Sequence, residues 1–227
     1  MVRIASTPRA AENRGNPGAA SFLNFYDLFS QEFIHRLTGY RKCREVAEEL
    51  NRFPGAKTVL EVGTAEGFLL RYLARSGRIE SAAGYDIRPA RIAKARQRAR
   101  ADPLGHRLSF TVGDGQCLPF PDGSFDVALL PHVLEHVPTV EQVAFLIRES
   151  LRAARLGVLI ALPLRESREP LLRWSKYLDV DHLRGLFRYR NGWIYHAAAV
   201  ERFFGDMGLR FERSRAHDRV YAIAKPG

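Results

Sequence analysis

The sequence predicts a doubly wound α/β fold. Three observations predict it. Short apolar strand candidates alternate with helical segments between residues 57 and 162. A turn built from small residues follows the first strand, and an acidic residue stands at or just past the end of each of the first three strands. Such alternation implies βαβ units, a parallel sheet and right-handed crossovers. The 227 residues suffice for one domain with a sizeable core, and 46% hydrophobic with 26% charged residues is ordinary for a globular chain.

The elements follow in order. Residues 1–20, rich in Ala, Asn, Gly, Pro and Arg, read as a flexible tail ahead of one domain over 21–227. Residues 21–55 read as a helical lid. Phe22, Phe25, Tyr26, Phe29 and Phe33 recur at helical steps, and a second helix runs from Arg41 to Arg52, stopped by Pro54-Gly55. Strands are expected at 57–62, 82–86, 107–112, 125–130 and 156–162. Helices are expected at 66–76, 89–100 and 140–154. Residues 163–196 break the rhythm with interleaved Arg and aromatic residues and read as an insertion covering the substrate. A helix at 197–207 and an antiparallel strand pair at 209–213 and 220–224 end the chain.

No run of about 18 apolar residues exists, so no membrane-spanning helix is expected. Two cysteines without metal-ligand spacing give neither a disulfide framework nor a metal site, and a cytoplasmic setting fits. The net charge of +10 favours anionic partners, or reflects an arginine-rich composition alone. The basic helix at 88–100 reads as a solvated face.

The turn Gly63-Thr64-Ala65-Glu66-Gly67 suits close approach of a ligand to the backbone, although structural strand-to-helix turns also hold glycines. Glu61 and Glu66 beside it would repel a pyrophosphate and attract a ligand with an ammonium and a sulfonium. S-adenosylmethionine carries both cations and no phosphate. Asp86 ends the second strand and can accept two ribose hydroxyls, or cap the next helix. Asp114, after the third strand, can accept from an adenine amino group, or simply close a turn. Strand ends on the carboxyl side of an open sheet line one crevice, so residues 61, 86 and 114 are expected to converge.

Four stretches carry a family resemblance: Val59–Gly67, Gly84–Ile87, Gly113–Asp126 and His132–Val137. They resemble the class I S-adenosylmethionine-dependent methyltransferases, and most closely the small-molecule branch of the ubiquinone and menaquinone type (methyltransferase type 11). The resemblance implies a Rossmann-like sheet of seven strands, in the order 3-2-1-4-5-7-6 with strand 7 antiparallel. It implies S-adenosyl-L-methionine as cofactor and S-adenosyl-L-homocysteine as product. Glu61, Gly63, Thr64, Ala65, Gly67, Asp86, Ile87, Asp114, Gly115, Gln116 and Pro131 become the implied cofactor residues. Ala65 departs from the family's usual glycine, and Arg155-Leu156-Gly157 from its usual Pro-Gly-Gly.

Methyl transfer from a sulfonium is an in-line displacement, so the protein aligns the nucleophile and excludes water. His132 and His136 lie near the end of strand four and are the candidate catalytic residues, with His132 the better base and Glu135 structural. Tyr26, with Asp27 beside it, and Trp174, His182, Tyr189, Trp193 and His196 are candidate contacts to a small, anionic or aromatic acceptor. The acceptor atom is O, N or C. The alternatives are an RNA methyltransferase, suggested by the charge, and a non-catalytic scaffold that binds the cofactor.

Overall fold

The computed structural model describes residues 34–114, 117–164, 195–217 and 219–225, with side chains from Arg41 onward. The expected tail, Tyr26, Asp27, Gly115, Gln116, Trp174, His182, Tyr189 and Trp193 lie outside the described residues. Helix α1 spans Ile34–Glu49. It is already helical at Ile34, ahead of the expected start at Arg41, since no proline lies in this stretch and a glycine inside a helix costs only about 1 kcal/mol; the aromatic segment 22–33 lies outside the described residues. The chain up to Lys42 forms a unit of its own, and Cys43 onward forms the sheet domain.

In that domain follow β1 (Thr58–Val62), α2 (Phe68–Arg75), β2 (Ser81–Asp86), α3 (Pro89–Arg100), β3 (Leu108–Val112), β4 (Phe125–Pro131), α4 (Val140–Ala153), β5 (Ala154–Ala161), α5 (Ala197–Asp206), β6 (Phe211–Arg213) and β7 (Val220–Ala224). The seven strands are ordered β3-β2-β1-β4-β5-β7-β6, as the resemblance implied. Strands β1 to β5 pair in parallel, and β7 runs antiparallel to β5 and β6.

Side chains alternate across a strand, so each central strand feeds two cores. Val59, Ala82, Val127, Leu129, Leu159 and Ala222 face one side, against α2, α3 and the buried stripe Cys43, Val46 and Ala47 of α1 with Leu50 just after it. Leu60, Val62, Ala83, Ala128, Leu130, Val158, Ile160 and Ile223 face the other, against α4 and α5. By the same alternation Glu61, Gly84 and Asp86 all lie on the α2–α3 side. Thr139 caps α4, its Oγ1 accepting from the Gln142 amide at 3.3 Å.

Two polar nodes lock the layers. At the amino edge of the sheet, Asp126 Oδ2 accepts from the amides of Lys57 (2.7 Å) and Thr58 (2.9 Å), while Arg155 donates to Oδ1 at 2.6 Å. Arg155 thus joins β5 to the start of β1, a role the sequence gave no sign of. The second node ties α1 to the last hairpin. Arg219 pairs with Glu45 through two nitrogens, the Nε contact being 2.9 Å, and both residues are buried. Ser214 donates to Glu49, and Arg52 bonds Glu212 at 2.8 Å.

Burial pushes the Asp126 carboxyl up, but the hydrogen bonds from Lys57, Thr58 and Arg155 outweigh it and bring it down to about 2. A carboxyl depressed in the folded state stabilises above its unfolded value near 4, and that contribution disappears as pH falls through 2. Asp126→Asn should therefore lose about 2 kcal/mol at neutral pH. Its urea midpoint should change less between pH 4 and 2 than that of the parent. Parallel pH curves for the two proteins would remove Asp126 from this role.

Candidate functional site

The site lies where β1, β2, β3 and β4 end side by side. The ladder continues past β1, with the amides of Gly63 and Thr64 both donating to Tyr85 O, at 2.7 and 3.1 Å. Past β3, the Gly113 amide donates to Asp86 O at 3.1 Å. Hence the first loop, Asp86 and the start of the Asp114 turn share one edge.

The first loop is left-handed at three alternate positions: Gly63 (φ 79°), Ala65 (φ 50°) and Gly67 (φ 70°). This is why small residues recur there, since a side chain makes that conformation costly. Ala65 is the one position that carries a Cβ, and its amide is held by Asp86 Oδ2 at 2.8 Å. The other oxygen, Oδ1, accepts from the Arg88 amide at 2.9 Å and from Arg88 Nε at 3.2 Å, closing the turn into α3. Asp86, only 3% exposed, therefore shapes the crevice whatever else it binds. Gly63 also meets the loop after β4: a Cβ on it would lie 2.7 Å from Val133 Cγ2.

Glu61 is buried, and its Oε2 accepts from the Thr64 hydroxyl at 2.6 Å. Burial pushes its carboxyl up to about 7. The Thr64 bond opposes this and the nearby Asp86 adds to it. Glu66 corrects one expectation. It pairs with Arg98 (2.5 Å) and Lys94 (3.4 Å) of α3 instead of serving the crevice, because two cations of that helix stand within ion-pair reach of it. Asp114 is exposed two residues beyond β3. Ile87 is 63% exposed and Val112, paired with Asp86 in register, is 40% exposed, so two apolar side chains stand open at the same lip. Pro131 is the last residue of β4.

His132 follows at once, also left-handed (φ 56°), with its amide donating to Ala161 O at 2.9 Å. Its Nδ1 lies 3.2 Å from Glu135 Oε1. His136, on the 3-10 turn Leu134–His136, is exposed, as is His196 at the start of α5. The chain leaves the described residues at Leu164 and returns at Tyr195. These two form a β-bridge, and the Tyr195 hydroxyl donates to Leu134 O at 3.0 Å. The contact between residues 195 and 134 was invisible in the sequence. The His-x-x-Glu spacing of 132 and 135 was the one available sign of the other contact.

The donor set is thus carboxylates, a hydroxyl and backbone amides. The cations nearest to it, Arg88, Lys94 and Arg98, are each paired with a carboxylate. A pyrophosphate would meet Glu61 and Asp86, and among the described residues these three cations are already engaged, whereas a cationic, phosphate-free nucleoside such as S-adenosylmethionine fits.

Residues 60–162 match a family described as methyltransferase domain. Ajmaline N-methyltransferase of Rauvolfia serpentina is 34% identical over 106 residues, 47% of this chain and 35% of that protein. Tocopherol O-methyltransferase of Arabidopsis thaliana is 32% identical, covering 59% of this chain and 40% of that one. A ubiquinone/menaquinone biosynthesis C-methyltransferase of Cereibacter sphaeroides is 28% identical, covering 54% and 48%. The chain thus spans between about a third and a half of the length of these relatives. Among solved structures, a chain from the complex of the Haloferax volcanii Trm112 methyltransferase activator with a methyltransferase shares the fold, with TM-score 0.61 and 19% identity over 89% of this chain and 98% of that one. The [4+2]-cyclase SpnF shares it with TM-score 0.54 and 24% identity over 74% and 56%.

Two outcomes are expected at this site. Asp86→Ala should weaken S-adenosylmethionine binding by roughly 1.5–3 kcal/mol. It should also lower the thermal midpoint, because the Ala65 amide loses its acceptor. Unchanged affinity by calorimetry would take Asp86 out of the cofactor site. Glu61 keeps its proton in the folded state between about 4.5 and 7, so its contribution to stability falls as pH rises through that window. A bound cation favours the ionised form, so binding near pH 6 should release a proton, seen as a binding heat that depends on buffer ionisation. Glu61→Gln should abolish that dependence, and its persistence in the variant would point to another group.

Proposed function

We propose that this chain, whose residues 60–162 match a methyltransferase domain, is a class I S-adenosylmethionine-dependent methyltransferase that transfers a methyl group to a small-molecule acceptor. The observation that carries the proposal is the meeting of Glu61, Asp86 and the Asp114 turn at the ends of three adjacent strands, beside His132 at the end of the fourth. S-adenosylmethionine supplies a methyl group on a sulfonium, already activated for displacement.

The chain's own residues then have four tasks. Gly63, Thr64, Ala65 and Gly67 bring backbone close to the methionine portion, and Glu61 offsets its ammonium. Asp86 accepts from the ribose through lone pairs left beside the Ala65 and Arg88 bonds. Ile87, with the turn holding Asp114, Gly115 and Gln116, receives the adenine. Pro131 ends the wall on the β4 side, and His132 takes the acceptor's proton where the nucleophile must lose one. We assign acceptor contacts to the residues between Leu164 and Tyr195, Trp174 and Tyr189 among the candidates; in support, Tyr195 itself bonds the turn that carries Glu135.

Acceptor chemistry is a separate matter. The relatives named above methylate N, O and C, and a cyclase shares the fold, so the fold alone does not fix the acceptor atom. A small molecule is favoured over RNA because three cations at this edge are engaged internally: Lys94 and Arg98 of α3 on Glu66, and Arg88, which precedes α3, on Asp86. Among the described residues, no helix is long and apolar enough to cross a membrane.

The test is methyl transfer from labelled S-adenosylmethionine into the small-molecule fraction of a cell extract. His132→Ala should lower that rate on the order of a hundredfold while leaving cofactor affinity within about twofold. Equal rates in both proteins would exclude His132 as the base, and binding without transfer to any fraction would favour a scaffold.

A further inference from the structure

We infer that Glu135 is the positioning residue of His132, holding its imidazole with the hydrogen on Nδ1 and leaving Nε2 as the proton acceptor. The inference rests on the role of His132 proposed above and adds the group that would make that role possible.

Glu135 sits on the tight turn three residues after His132 and is 6% exposed. Its Oε1 is 3.2 Å from His132 Nδ1. An ionised carboxylate has only acceptors, so the ring nitrogen facing it must donate. Its Oε2 is buried with no hydrogen-bond partner among the described residues. A buried carboxylate with an unused oxygen costs stability, so packing alone is a poor reason to keep one. A carboxylate behind an imidazole has a chemical use: it fixes the tautomer and stabilises the imidazolium formed when the ring takes a proton.

Two further features keep the pair in place. The left-handed backbone of His132, pinned by its bond to Ala161 O, aims the ring back over its own turn. The Tyr195 hydroxyl donates to Leu134 O, next to Glu135. Burial, and then the charge of Glu135, push the Tyr195 phenol up to about 12, so it stays neutral beside the carboxylate. The other buried carboxylates of the crevice are engaged elsewhere, Glu61 with Thr64 and Asp86 with Ala65 and Arg88. Glu135 is therefore the carboxylate in reach of this imidazole, and His136, on the same turn, is exposed.

The test compares the parent protein with Glu135→Gln and Glu135→Asp, all without ligand. Long-range nitrogen–proton NMR reads the His132 tautomer, and a pH titration reads its protonation. The parent should show the Nδ1–H form. Glu135→Gln should lower the protonation midpoint of His132 by about one unit, and Glu135→Asp should restore part of the shift. In the labelled-cofactor assay the acidic limb of the pH–rate profile should move down with it. An unchanged tautomer and midpoint in Glu135→Gln, in a protein whose circular dichroism matches the parent, would overturn the inference. A lowered midpoint with an unmoved rate profile would uphold Glu135 as the positioning residue and overturn only the proposed role of His132 as base.

Discussion

The carboxylate of Asp86 is the interaction on which the crevice depends. It ends β2, it is buried, and its two oxygens accept amides from two different connections, the loop after β1 and the turn into α3. Without it the Ala65 amide, in a backbone conformation unfavourable for any residue with a Cβ, would have no such acceptor. The same carboxylate stands close enough to Glu61 to raise that residue's affinity for a proton. One side chain thus sets the shape of the loop, the entry angle of a helix and part of the electrostatics of the neighbouring acid.

The molecule separates stability from chemistry along the strand axis. At the amino edge, Asp126 gathers two amides and Arg155, and its carboxyl is comfortably ionised. At the carboxyl edge, Glu61 is ionised only with difficulty, and Glu135 keeps an oxygen without a described partner. Carboxylates at the first edge satisfy the fold. At the second edge Asp86 serves the fold too, while Glu61 and Glu135 keep capacity for a further partner, as expected where a cationic ligand completes the set. The left-handed residues Gly63, Ala65, Gly67 and His132 cluster at that second edge as well.

Much of the architecture was legible because it rests on local signals. Strand and helix positions between 57 and 162 followed from apolar periodicity, and the small residues at 63, 65 and 67 marked a turn that proves left-handed at all three. The reading failed where a residue's partner is set by direction in space. Glu66 was grouped with Glu61 because the two are close in sequence, yet Glu66 meets Lys94 and Arg98 instead. The expected helix start at Arg41 also failed. Pattern alone does not mark a helix start where neither proline nor a strong cap stands, and the helix already runs at Ile34.

By itself the sequence determined the fold class and the acidic character of the strand ends, since periodicity, backbone permissiveness and charge type are properties of residues and their near neighbours. Only the tertiary structure decided which acids are buried together, that Asp86 holds the first loop, that Glu135 backs His132, and that Tyr195 returns to the turn at Leu134. Those facts depend on strand order and on the direction of side chains, between residues as far as 61 positions apart in sequence. Apart from the His-x-x-Glu spacing of 132 and 135, no local pattern encodes them, because the long-range contacts exist only once the hydrophobic faces of the sheet have been covered and the strand ends brought side by side.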